Sequence, residues 1–177
     1  VLTLNEKVVY PGHGVAQVIK IFEKSVGGNS SQFYELKFVN KDITILVPAS
    51  NLIAIGVRPL ISKQAVLQLI IFLQQSGRVL QTYELTASSW NRRNKFYQNE
   101  LRSGDLFKIA SIYRELQGVA LQKELSFGEK ALLMQTELLL AQEISIVENK
   151  KEQEVIFQLR ALFTNRISNV TLSSATL

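Results

Sequence analysis

The sequence predicts an α+β chain: a small five-stranded β-barrel of the Tudor or SH3 type, followed by an all-α region. Two observations carry this prediction. Over residues 1–60 short β-type runs are cut by tight-turn dipeptides, whereas from Ser62 onward apolar residues recur at helical spacing. The change of period falls near Arg58 to Ser62, where Gly and Ser are too few for a long linker. It divides the chain into residues 1–60 and 61–177.

The first run, Glu6 to Tyr10, is ended by Pro11-Gly12-His13-Gly14, a strong turn signal. Val15 to Ile21 alternates in part, and Gly27-Gly28-Asn29-Ser30 reads as a hairpin loop. Phe33 to Val39 alternates closely. Asn40-Lys41-Asp42 turns the chain into Ile43 to Val47, Pro48 closes that strand, and Leu52 to Val57 reads as the fifth. Five strands with such short turns suggest a strongly bent barrel with a small core.

In the second half, Ser62 is placed to cap a helix bearing Ala65, Val66, Leu69, Ile70 and Leu73, with Gly77 as its stop. Ser89 is read as the cap of a helix running through Trp90 and Tyr97 to Arg102. Asp105 caps the next, whose apolar stripe is Leu106, Ile109, Ala110, Tyr113 and Leu116. Ser126 and Glu129 have capping-box spacing ahead of a long helix to about Val147. A last helix is expected over Glu152 to Phe163, with a frayed tail from Ser168.

Composition excludes several classes of function. A chain of 177 residues that is 46% hydrophobic and 20% charged has ample apolar surface to fold. No apolar run reaches the roughly 18 residues of a membrane helix, and Val1 to Lys7 lacks signal-peptide character. The chain is therefore expected to be soluble and cytoplasmic. It has no cysteine, so disulfides and thiolate metal sites are impossible, and His13 is its only histidine. Gly27 to Ser30 matches neither a Walker loop nor a dinucleotide fingerprint. Neither an enzyme nor a bound cofactor is expected. A net charge of +5 leans towards a polyanionic partner.

The sharpest local feature is Trp90-Asn91-Arg92-Arg93-Asn94-Lys95. It puts the only tryptophan near a helix start, with cations close behind. Helical geometry sets Arg93 on the side of Trp90, while Arg92 and Lys95 flank it. Basic side chains of this kind can hold a DNA backbone while an aromatic edge enters between bases. On the local pattern alone, a core tryptophan beside a solvated basic face accounts for the same residues.

The ordered set of short motifs resembles the CarD/CdnL family of bacterial transcription factors. The matching pieces in the first half are Val8 to Val15, Val47-Pro48 and Gly56-Val57-Arg58. In the helical half they are Trp90 to Arg93, Ser103-Gly104-Asp105, Tyr113 to Leu116 and Leu125 to Lys130. The N-terminal part is also similar to the polymerase-interacting domain of the transcription-repair coupling factor. The resemblance implies a Tudor-like domain that binds the β1 lobe of the RNA polymerase β subunit through the positions of Lys24, Val26 and Leu46. It implies a helical domain that offers Trp90 to the minor groove of promoter DNA, with Arg92 and Lys95 on the backbone and Arg93 as a weaker contact. The contact would be largely sequence-tolerant, at the upstream edge of the melted bubble, and would stabilise the open complex. A monomer, associated with the nucleoid through the polymerase, is expected. Leu46 departs from the basic residue of several family members, which makes a more apolar or weaker lobe contact the expectation. The rival from another class is a protein–protein adaptor with a Tudor-like barrel and no DNA contact, in which Trp90 packs against neighbouring helices. A second is an RNA-binding factor using the same cations.

Overall fold

A computed structural model describes residues 1–26, 29–78 and 80–173, with the side chains at 26, 29, 87 and 165–173 outside that description. The chain divides into two compact units, Val1–Leu60 with Arg102–Gly104, and Ile61–Leu101 with Asp105–Leu177.

The first unit is a five-stranded antiparallel sheet in the order β4-β3-β2-β1-β5. Its strands are β1 (Lys7–Tyr10), β2 (Gly14–Val26), β3 (Asn29–Phe38), β4 (Thr44–Pro48) and β5 (Arg58–Pro59). Val8, Ala16, Val18, Tyr34, Leu36, Phe38 and Val47 form its core. The partial alternation of β2 has a structural cause. The register with β3 slips between Val18 and Lys20, so Ile19 is an extra residue on a bulge. The slip returns Ile21 to the core side, although it follows Val18 by three. Gly27 and Gly28, the centre of the expected hairpin loop, lie outside the described residues.

The predicted fifth strand is corrected. Leu52 to Val57 is not extended: a 3₁₀ turn at Ala49–Asn51 leads into the one-turn helix α1 (Leu52–Ile55). Gly56 ends it in the left-handed conformation at φ 84°, its N–H bonded to the carbonyls of Leu52 and Ile53. Leu52 and Ile55 pack on the sheet core, whereas Ile53 is 91% exposed. A β-branched run and a short helix with one buried edge look alike over six residues. The strand that pairs with β1 is the two-residue β5 that follows.

The second unit holds α2 (Lys63–Gln74), α3 (Ala87–Ser103), α4 (Leu106–Gln122), α5 (Phe127–Glu148) and α6 (Glu152–Ser173). Three predicted caps are present. The Ser62 hydroxyl accepts from Ala65 N, Asp105 accepts from Phe107 N and Lys108 N, and Ser126 with Glu129 forms a reciprocal capping box. Helix α3 differs: it begins two residues before the point at which Ser89 would cap it. Thr86 takes that role, its Oγ1 accepting from Ser89 N at 3.4 Å and its carbonyl from Trp90 N at 3.0 Å. Helix α2 ends at Gln74, ahead of Gly77, and α6 continues through the expected frayed segment as far as Ser173. Val66, Leu69, Leu73, Tyr97, Leu101, Tyr113, Leu116, Leu140, Ile144 and Leu159 are among the buried core. Among the described residues no helix is long and apolar enough to cross a membrane.

Candidate nucleic-acid and polymerase interfaces

Trp90 closes the first turn of α3, its own N–H already bonded to Thr86. Its indole is half-buried and packs on the helical core from the edge. Tyr97, two turns on, lies 6.3 Å away between ring centroids, tilted at 54°. Arg92, Lys95 and Phe96 are exposed on the same helix. Phe127, the first residue of α5, is 90% exposed. The residue after it, Gly128, touches the indole: a Cβ placed there would be 3.1 Å from Trp90 Cζ2 and 3.3 Å from Nε1. Gly128 is helical, so the indole's approach rather than backbone conformation accounts for a glycine here. A Gly128→Ala variant is expected to fold with stability within about 1 kcal/mol of the parent. It should displace the indole, read as a change in tryptophan emission.

The two adjacent arginines go opposite ways. Arg92 faces solvent. Arg93 stays on the side of Trp90, as the helical period predicts, but that side turns inward. Its side chain is 12% exposed and its Nη2 donates to Glu129 Oε1 at 3.2 Å. The guanidinium carbon is 5.5 Å from the indole centroid, within cation–π range. Arg93 Nε and Nη1 are buried with no hydrogen-bond partner among the described residues. Glu129 is the centre of this cluster. It is 1% exposed, and its Oε2 accepts from Lys123 Nζ at 2.6 Å and from Ser126 N at 2.9 Å.

Burial by itself would raise the Glu129 carboxyl. The Lys123 ammonium, the Ser126 amide and hydroxyl, and Arg93 outweigh it and hold the group down at about 2, against an ordinary 4.5. Between those values the unfolded chain binds the extra proton, so stability rises with pH across the window. The contribution of Glu129 should be complete above pH 4.5 and lost as pH falls towards 2. Denaturant unfolding at stepped pH should show a shallower slope across that window for Glu129→Gln than for the parent.

Beside the basic turn lies a recess of about 380 Å³, lined by Arg78, Glu84, Ser89, Arg92, Arg93, Phe96, Tyr97 and Glu115. Its carboxylates are engaged, Glu84 with Arg78 and Glu115 with the Tyr97 hydroxyl. Burial first, then the bond to Glu115 and its charge, push the Tyr97 phenol well above its usual range. The charge around the tryptophan helix is thus mixed rather than uniformly basic.

In the sheet, Lys24 pairs with Ser31 and Leu46 with Glu35. Ser31 and Glu35 have the same parity on β3, opposite to the buried Tyr34, Leu36 and Phe38. Lys24 and Leu46 therefore share the face away from the core, offset by about 13 Å along β3. Both are exposed, Leu46 at 57%. Val26 ends β2 opposite Asn29, and its side chain lies outside the described residues. Sequence reasoning did not single out Phe127, Gly128 or Lys123. It found Glu129 only as a cap, because its pairing with Arg93 spans 36 positions.

The fold defines a chain of two units, a small antiparallel sheet and a helical region carrying an aromatic–basic turn. Two family models match it in order, "CarD-like/TRCF RID domain" over residues 2–61 and "CarD, C-terminal domain" over residues 78–159. The chain belongs to the CarD-like family of transcription factors, whose members are not enzymes; its N-terminal domain implies interaction with RNA polymerase. It is similar to YdeB of Bacillus subtilis (strain 168), a protein named as a transcription factor. The two are 23% identical over 154 residues, which is 86% of this chain and 95% of that one. It is also similar to the solution NMR structure of the 72-residue N-terminal domain of Myxococcus xanthus CarD. That match has 34% identity and a TM-score of 0.29, and covers 33% of this chain and 77% of the other.

Proposed function

We propose that the protein holds the β1 lobe of the RNA polymerase β subunit with its sheet and the upstream edge of the promoter bubble with its helical domain. In this way it stabilises the open complex. The observation that carries this reading is the half-exposed Trp90 indole on a helix whose Arg92, Lys95 and Phe96 are all exposed. Trp90 enters the minor groove at the upstream fork, Arg92 and Lys95 hold the backbone, and Arg93 acts on the indole more than on phosphate. Unstacking a base step costs a few kcal/mol, so an aromatic wedge gains most where the duplex is already open. Attachment through the sheet raises the local concentration of the helical domain, so weak, sequence-tolerant DNA contact suffices. The modest net charge of +5 suits a tethered binder. The protein acts as a monomer in the cytoplasm and reaches the nucleoid through the polymerase.

The test is the lifetime of a polymerase–promoter open complex after competitor challenge, with and without the protein. A longer lifetime with it is the expected result; no change overturns the DNA-directed half of the reading. On the polymerase side, Leu46→Asp should weaken binding to the isolated β1 lobe about tenfold, as for loss of one interface anchor. Titration calorimetry reads this directly.

The mixed charge of the recess beside Trp90 favours a second reading, an adaptor that binds another protein there and makes no DNA contact. It predicts that Trp90→Ala leaves the open complex as long-lived as the parent does.

A further inference from the structure

We propose that Glu129 fixes the pose of the Trp90 indole by holding Arg93 against its ring, so that the DNA-directed side chain is set before DNA arrives. The functional consequence rests on the reading above; the geometry does not.

Arg93 lies between the Glu129 carboxylate and the indole ring, and the Tyr97 hydroxyl and the Glu84 carboxylate act on it as well. Its Nη2 donates to Glu129 Oε1 at 3.2 Å, and its guanidinium carbon lies 5.5 Å from the indole centroid. Among the described residues, Nε and Nη1 are buried and unpartnered, and Glu129 is the carboxylate that forms an ion pair with this cation. Removing that carboxylate takes away the group that draws the guanidinium against the ring and lets it turn towards the recess, where the Tyr97 hydroxyl, the Glu84 carboxylate and water take over. Glu129, by contrast, has little freedom to move. Its other oxygen accepts from both Lys123 and the Ser126 amide, which ties the carboxylate to the first turn of α5. That same turn touches the indole directly through Gly128. The indole is thus limited on one side by backbone and on another by a cation that the adjacent side chain holds. A half-exposed tryptophan would otherwise sample several rotamers, and selecting one on binding lowers affinity. Glu129 is a positioning residue in this sense, since it acts on DNA only through Arg93 and Trp90.

The chain has a single tryptophan, so its fluorescence reports this side chain alone. The experiment compares the full chain with Glu129→Gln, Arg93→Gln and Lys123→Gln. Glutamine at 129 keeps the capping geometry while removing the charge. Emission maximum, anisotropy and acrylamide quenching are read on the free protein, after thermal unfolding has shown each variant folded. The open-complex lifetime is then read with each. Glu129→Gln and Arg93→Gln should redden the emission, lower the anisotropy and increase quenching. They should shorten the lifetime about threefold, the factor matching loss of one half-exposed cation–π contact. Lys123→Gln, which removes the partner of the other carboxylate oxygen, should leave the indole signal as in the parent. The proposal is overturned if folded Glu129→Gln keeps the parent's indole signal, or if Lys123→Gln changes it equally, which would mean general loosening of α5. It is also overturned if the indole is freed yet the lifetime holds while Trp90→Ala abolishes it. If Glu129→Gln does not fold, Arg93→Gln decides in the same way. Should Trp90→Ala itself leave the lifetime unchanged, the functional reading fails, and the indole signals still decide the geometry.

Discussion

Replacing Trp90 with alanine is expected to shorten the protein-stabilised open-complex lifetime roughly tenfold while polymerase binding persists. Stacking of one aromatic ring on a base contributes about 1–3 kcal/mol, and 1.4 kcal/mol is a tenfold change. The same substitution removes packing, because the ring rests on the helical core. It is half-exposed, so that loss should be about 1–2 kcal/mol, well short of the cost at a fully buried site. The two effects separate experimentally. Urea unfolding gives the stability change, and competitor-challenge kinetics at a temperature where the variant is folded gives the functional one. A variant that binds the β1 lobe normally but no longer prolongs the complex is the expected result. The cations should behave differently, with Arg92→Ala and Lys95→Ala weakening the effect and reducing its salt dependence.

The largest expected effect on stability lies underneath, at Glu129. Glu129→Ala removes the capping-box acceptor of α5 and the counter-charge of both Arg93 and Lys123. Lys123, 29% exposed, returns to water readily, whereas Arg93, 12% exposed, does so only by leaving the indole. Loss of the partner of a fully buried charge costs about 3–5 kcal/mol, and the cost here falls at the low end because the guanidinium recovers part of it by turning outward. The measurement is equilibrium urea unfolding followed by far-ultraviolet circular dichroism. If stranded charge is the cause, adding Arg93→Met to Glu129→Ala recovers part of the loss. If the missing cap is the cause, the double variant is no more stable than the single one.

How much of this was legible depended on whether the interaction was local. Asp105, Ser62 and the Ser126–Glu129 box act over two or three residues, and the sequence shows them directly. The start of α3 was read at Ser89 because Thr86, Ser88 and Ser89 all offer hydroxyls within four positions. Only the backbone decides among them, and Thr86 prevails. The run Leu52 to Val57 misled because strand and one-turn helix share a pattern at that length, although Gly56 was the available clue. The bulge at Ile19 explains an alternation that looked merely imperfect. At the candidate site, the period correctly put Arg93 beside Trp90, but nothing in the sequence told whether that side faced water. The answer lies in Glu129, a contact made by tertiary packing rather than by neighbours in the chain. The contact of Gly128 with the indole is of the same kind, made between residues far apart in the chain.

The central claim is that one chain grips polymerase and promoter together, and a double-mutant cycle on open-complex lifetime tests it most directly. Leu46→Asp loosens the polymerase contact and Trp90→Ala removes the DNA contact. If the protein acts as a bridge, each single variant should lose most of the stabilisation, and the double variant should lose no more than the larger of the two. Fully additive losses would contradict the bridge, because they would mean that the two domains act on the complex independently.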